Sequence, residues 1–370
     1  MKKLCSLLAA FILSFSSFAQ YQGRIQIAIL FDTSNSMDGL IDQAKSRIWS
    51  IVNTMSTLRY NGQIPQIEIA LYDYGNDNLT ATSNYIRNQV PFSKDLDLIS
   101  QKLFGLSTRG GQEYCGAVIS VALNELSWSS NPNDLKMIYI AGNEPFNQGN
   151  VFYKDVCQNA ATRNIQVNTI YCGDYQQGVT EFWYDGAQLG KGEYSNINSN
   201  LQVKHYDTPF DVKIRAYNDS LNRTYIEFGE TGKEKKASQA YEDSNAQGQS
   251  AGAFTERAIV KSKAVYKNES WDLVDASVSD SLIFKKLKKE DLPDDLKGKS
   301  EAEIKLYIEK QKTERVRLQK IIGELSVERE NFIADLKKAD TTTTESDFGE
   351  EIKKNVVKVA KEKGFEEEKK

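Results

Sequence analysis

The chain has one histidine, His205, in 370 residues. A Ser-His-Asp or Cys-His nucleophile system needs an imidazole beside its nucleophile. No motif flanks His205, which reads as a surface or domain-edge residue. Cysteine is also scarce, with four residues, Cys5, Cys115, Cys157 and Cys172. Their spacing fits no zinc motif. An excess of positive charge is missing: 47 Lys and Arg face 51 Asp and Glu, for a net charge of −4. That balance gives no electrostatic footprint for a nucleic acid. Beyond the N-terminus, no run approaches the roughly 20 apolar residues that a membrane span needs.

The N-terminus has the pattern of an export signal. Lys2 and Lys3 precede an apolar run from Leu7 to Phe18, and Ser17-Phe18-Ala19 offers a small-x-small cleavage site. These features define residues 1–19 as a secretory signal peptide. The mature chain is expected to begin at Gln20 or Tyr21. Cys5 precedes the apolar core, too early for a lipid-attachment cysteine. The Met-Lys-Lys start looks bacterial, so the expected location is the periplasm or the medium. Cys115, Cys157 and Cys172 remain after cleavage. An oxidising compartment permits one disulfide among three candidate pairs, and the sequence does not choose among them.

Periodicity then gives the organisation. Residues 24 to 31 read as a strand, and residues 38 to 58 as an amphipathic helix carrying Ile41, Ala44, Ile48, Ile51, Val52 and Met55. Strands are expected at residues 67–74, 135–142 and 165–171. A short strand at 85–90 is expected antiparallel at the sheet edge, with another edge strand at 193–197. Helices are expected at 96–103, up to Leu126, at 151–162 and at 177–189. Such alternation implies a doubly wound, mostly parallel sheet covered on both faces. Ligands of such sheets bind beyond the carboxyl ends of the strands. Asp32, Gly110-Gly111, Gly142-Asn143 and Cys172-Gly173 would all lie at that edge.

The segment Ile25-Gln-Ile-Ala-Ile-Leu-Phe-Asp32-Thr-Ser34-Asn-Ser36-Met37 is the most informative part of the chain. Its apolar strand ends in three oxygen side chains at alternate positions. Asp32, Ser34 and Ser36 can converge on a hard cation as the chain leaves the strand. Aspartate and serine are also favoured as helix N-caps, so capping is the other use of these oxygens. On this D-x-S-x-S strand-helix junction, the chain resembles the von Willebrand factor A-like (vWA) family over residues 24 to about 200.

The resemblance implies a metal-ion-dependent adhesion site that holds Mg²⁺, or Mn²⁺ or Ca²⁺, with a position open to a partner's carboxylate. The family completes its site with a threonine near a Gly-Gly turn and an aspartate in a Thr-Asp-Gly after the fourth strand. This chain departs at both. Gln112 follows Gly110-Gly111, leaving Thr108 or Glu113 as substitutes. Gly142 falls where the aspartate belongs, and Asn143 offers a neutral oxygen, directly or through water. The candidate metal set is therefore Asp32, Ser34, Ser36, Glu113 and Asn143. With Asp32 as the one certain carboxylate, cation binding is expected to be weak or even lost. Asp73, at a strand end, is expected to hydrogen-bond a loop. Tyr72, Tyr74, Tyr114 and Tyr139 fall near the same edge, where exposed aromatics favour protein recognition, although strand packing explains Tyr139 equally well.

Composition shifts after about residue 210. The reading divides the mature chain into a vWA-like domain (20–205), an extension packed on it or linked to it (206–295), and a charged helical, coiled-coil-like arm (296–370). Residues 230–254 read as a solvated helix or a linker. Trp271-Asp-Leu-Val-Asp275 is an apolar patch suited to docking on the main domain. Ser300 and Glu303 form a capping box that opens a helix to about Lys338. Self-association through these helices is the corresponding expectation. The expected function is protein–protein interaction through the metal site, with an acidic residue of the partner as ligand and no enzyme activity. The alternatives are a metal-independent scaffold and, as a minor one, a metal-assisted hydrolase with Glu113 or Glu144 as base.

Overall fold

The computed structural model describes residues 21–339 and 346–368. The signal-peptide segment lies outside the described residues. The first half of the chain builds the sheet layer: β1 (Arg24–Asp32), α1 (Asp38–Ser56), β2 (Leu58–Arg59), β3 (Gln66–Tyr74), β4 (Ile86–Ser93), α2 (Leu96–Phe104), α3 (Cys115–Glu125), β5 (Leu135–Gly142), α4 (Tyr153–Thr162), β6 (Gln166–Cys172), α5 (Tyr175–Thr180), α6 (Trp183–Leu189) and β7 (Lys191–Ile197). The second half is helical: α7 (Asp211–Asn222), α8 (Gly232–Gln249), α9 (Ala251–Lys261), α10 (Leu273–Ser279), α11 (Ile283–Lys286), α12 (Glu301–Ala339) and α13 (Phe348–Glu362). A two-residue strand, β8 (Glu366–Glu367), follows and pairs antiparallel with β2.

The main sheet has the order β4-β3-β1-β5-β6-β7. Only β4 runs antiparallel, against β3; the remaining pairs are parallel. The order reverses between β1 and β5, so the carboxyl ends of these strands flank a topological switch point. Alternation along β1 feeds two cores. Ile25, Ile27, Ile29 and Phe31 pack with α1, α2 and α13, whereas Ala28 and Leu30 pack with α3 and α4. Strands covered on both faces read as continuous apolar runs, which is why β1 and β5 were conspicuous.

Several expectations need correction. The helix expected at 177–189 is two helices, because Phe182 adopts a left-handed conformation (φ 67°) between α5 and α6. Tyr72, Tyr74 and Tyr139 are buried in strand packing and are not part of an exposed aromatic rim. The polar stretch 230–254 is a helix with one solvated face, as read, but it is not a linker and its other face is buried. Its residues form α8 and the start of α9, and Gln239, Glu242 and Asp243 are buried. Cys115, Cys157 and Cys172 are all buried free thiols.

Of the second half, α8, α9 and α13 contact the sheet layer, through α1, α2, β5 and β7. Ile304, Ile308, Leu318 and Ile322 of α12 are buried within the chain, and α12 lies on α7, α9 and α10. The capping box forms as read: Ser300 N–H donates to Glu303 Oε2 (2.8 Å) and Glu303 N–H to Ser300 Oγ (3.3 Å). The helix α13 lies on α1, with Phe348 against Phe31 (ring centroids 5.1 Å apart). Tyr139 of β5 donates to Asn355 of α13 (2.5 Å). Among the described residues, no helix is long and apolar enough to cross a membrane.

Candidate metal centre

The site begins where β1 runs out of partners. Thr33 N–H still donates to Tyr74 O at the end of β3 (2.9 Å), while Thr33 O accepts from Arg109 N–H (2.9 Å). Asn76 donates to Ser107 O (2.8 Å), and Asp77 N–H to Gly110 O (2.7 Å). Gly110 N–H donates to Asn35 Oδ1 (2.7 Å). These bonds stitch the loops after β1 and β3 to the loop before α3. The loop after β5 closes the remaining side, with Asn143 Nδ2 donating to Ser36 Oγ (3.2 Å).

Asp32 lies at the centre and is fully buried. Its Oδ1 accepts from Ser34 N–H (2.8 Å). Its Oδ2 is buried without any hydrogen-bond partner. A carboxylate oxygen left this way costs roughly 1–3 kcal/mol or more. Ser34 Oγ stands 3.4 Å from Ser36 Oγ. Ser34 precedes a short turn (Asn35–Met37) but makes no side-chain capping bond. The capping use of this hydroxyl is therefore not the one adopted.

Glu113 reaches the same point from the loop before α3. A Cβ built on Gly75 would lie 2.9 Å from Glu113 Cγ and 3.0 Å from Asp32 Oδ1. Gly75 also has φ 76°, so glycine is required there twice over. Gly142 is equally confined: a Cβ there would lie 2.8 Å from Tyr74 Oη and 3.0 Å from Asp32 Oδ2. The position where the resemblance wants an aspartate has no room for a side chain. Thr108, the other substitute, donates its hydroxyl to exposed Asp38. Asp73 is ion-paired with Arg87 of β4 (2.7 Å) and accepts from Gln89 (3.0 Å).

The electrostatics follow from this crowding. Burial, reinforced by the nearby charges of Glu113 and Glu144, pushes the Asp32 carboxyl up to about 7. Burial and the neighbouring Glu144 push Glu113 up to about 7 as well. Two carboxyl groups without a counter-charge, beside serine hydroxyls, form a donor set that fits a hard divalent cation. The orphaned Asp32 Oδ2 is the specific indication. Among the described residues, no group of three or more His, Cys, Asp or Glu could hold a metal ion. A cation here would rely on hydroxyl and amide oxygens beyond the two carboxylates.

Of the five candidates, Asp32, Ser34 and Glu113 share one pocket, and Ser36 joins Asn143 at its exposed rim. Asp77 was missed. Its charge acts on Glu113, and a Cβ on Gly110 would lie 3.7 Å from its Oδ2. The available signal was its place just after β3, the parallel neighbour of β1. Gly75 was missed for the same reason.

A six-stranded, mostly parallel sheet with helices on both faces and D-x-S-x-S at its switch point defines a doubly wound α/β domain. Solved structures that match this part of the chain include vWA domains. BatB from Bacteroides thetaiotaomicron matches at 17% identity and TM-score 0.35, over 47% of this chain and 90% of that one. The SpRpn10 VWA domain matches at 16% identity and TM-score 0.37, over 48% and 90%. The vWF domain of the type V pili tip protein Mfa5 from Porphyromonas gingivalis matches at 12% identity and TM-score 0.35, over 47% and 90%. No protein-family model matches the chain, and no curated protein does.

Proposed function

We propose that this chain is an exported binding protein that captures a protein partner through a divalent cation held at the end of β1. The observation that carries this reading is the buried, unpartnered Asp32 Oδ2 beside the hydroxyls of Ser34 and Ser36. Asp32, Ser34, Ser36 and Glu113 would hold the ion, and Asn143 would orient Ser36. When bound, the ion supplies a Lewis-acidic position for an acidic side chain of the partner. Gly142 brings only backbone against Asp32 Oδ2, and Gly75 lets Glu113 stand against Asp32. No general base with a positioned water is needed, and the site is read as non-catalytic.

The test is calorimetric titration of the mature chain with Mg²⁺ and Mn²⁺, alongside Asp32→Ala. Binding in the wild type that is lost in the variant supports the reading. A second reading, a metal-independent scaffold, is favoured by one observation: Thr108 is engaged by Asp38 and so turned to another partner. Equal melting temperatures with and without Mg²⁺ would select that second reading.

A further inference from the structure

Beside the proposed ion site, but separate from it, a cavity of about 700 Å³ opens at the carboxyl ends of β6 and β7. Its walls include Asp174, Tyr175, Tyr194, Ser195, Asn196 and Glu351. The described lining residues comprise hydroxyls, amides, two carboxylates and two phenol rings, and the lysine at their edge, Lys354, is already engaged by Ser346 (3.1 Å) and Glu351 (3.2 Å). This chemistry disfavours phosphate, sulfate or carboxylate ligands, which call for cationic donors. It is also too polar for a purely apolar ligand.

The aromatic rings extend beyond the cavity. Tyr175 and Tyr194 stand 4.9 Å apart, and Tyr194 and Tyr184 5.9 Å apart. Tyr175 is 49% exposed, Tyr184 42% and Phe182 41%. The outward Phe182 has φ 67°, a costly conformation for a bulky residue. The backbone holds this strain where α5 turns into α6, beside the tyrosines. Tyr194 Oη is spent on Tyr175 O (2.7 Å), which fixes the pair of rings. Asp174 uses Oδ1 to cap α5.

We infer that this cavity and its aromatic margin form a binding site for a neutral oligosaccharide. The apolar C–H face of a sugar ring would stack on Tyr175, and its hydroxyls would donate to Asp174 and Glu351 and exchange hydrogen bonds with Ser195 and Asn196. Tyr184 and Phe182 would carry further rings outside the cavity. The site needs no metal and does not depend on the reading of Asp32.

The test is saturation-transfer NMR and calorimetry on the full mature chain with a panel of soluble neutral oligosaccharides: gluco-, manno-, galacto- and N-acetylglucosamine oligomers of three to six rings. The expected result is binding of at least one class, weakened about tenfold or more by Tyr175→Ala. Binding should be retained in Tyr175→Phe and unchanged by EDTA or Asp32→Ala. Absence of binding across the panel at millimolar concentration overturns the proposal. Equal binding by Tyr175→Ala, with that variant folded by circular dichroism, also overturns it. So does preferential binding of a lysine-rich peptide, which would mark the carboxylates as a cation-binding surface.

Discussion

The molecule buries carboxylates in two ways, and the contrast separates structure from function. Where the helical half meets α2, Asp97 and Asp243 are buried against basic partners, while buried Glu242 is held by the side chains of Ser100 and Asn245. Arg257 reaches Asp97 (2.7 Å) and Asp243 (2.5 Å) while its guanidinium lies over the Trp49 ring, and Lys261 reaches Asp243 (2.9 Å). Arg315 bridges Asp272 (2.6 Å) and Asp275 (2.7 Å), and Arg329 bridges Asp211 (2.7 Å) and Glu256 (2.6 Å). Burial alone would raise Asp243, but Lys261 and Arg257 outweigh it and hold the carboxyl well below its usual range. At the end of β1 the same burial is opposed only by hydrogen bonding from Ser34, with no cation beside it, and Asp32 rises to about 7. The first arrangement is finished; the second awaits a positive charge. Perturbed carboxyls without partners mark candidate functional sites.

The comparison can be broken most severely by removing a cation from the finished network. Arg257→Leu leaves Asp97 and Asp243 buried and uncompensated, and the expected loss is about 3–5 kcal/mol in urea unfolding. The reverse effect is expected at the unfinished site. Below about pH 3 Asp32 is protonated in both folded and unfolded chains. As pH rises from about 4 to 7, the unfolded chain releases the proton first, so this group lowers stability across that window. Asp32→Asn should therefore stabilise the cation-free protein at pH 8 by about 2–4 kcal/mol. The variant should also lose any increase in melting temperature brought by Mg²⁺. A destabilised Asp32→Asn protein would show that the carboxylate is already compensated.

A smaller effect is expected from Gly142→Ala, whose new methyl would press on Tyr74 Oη and Asp32 Oδ2. The expected cost is about 1–3 kcal/mol by thermal unfolding. Smallest of all is Glu324→Ala on the exposed face of α12, where Lys320 and Glu324 stand 3.8 Å apart in solvent. Its expected change is below about 0.5 kcal/mol. A large effect there would erase the distinction between buried and exposed pairs.

The sheet was legible because β1, β3, β5 and β6 are apolar runs broken by polar turns, a local signal. Asp32, Ser34 and Ser36 were legible because one short segment carries all three. Glu113 was named as a candidate from its place in the loop, but what sets it apart from Thr108, the positions of Gly75 and Asp38 in space, is not written in the sequence. The buried network was hidden for a related reason. Gln239, Glu242 and Asp243 look solvated in sequence, and their partners Tyr266, Ser100 and Arg257 come from outside α8. Hydrophobic patterning carries no signal for a polar interface of this kind. The break at Phe182 was missed because a phenylalanine gives no warning of a left-handed backbone.

The return of α13 to the sheet layer sets the order in which the molecule can be completed. Phe31 at the end of the first strand packs on Phe348, Gln43 accepts from Phe348 N–H (3.0 Å), and Arg47 pairs with Asp347 across 300 residues of chain. The last layer over β1 is thus supplied by a segment about 300 residues further along the chain. A nascent chain halted at residue 205 would present Phe31 and the outer side of α1 to water. Contacts this distant in sequence slow folding, since loop closure is paid before they form. The cover of the first strand is accordingly completed only after α13 has emerged.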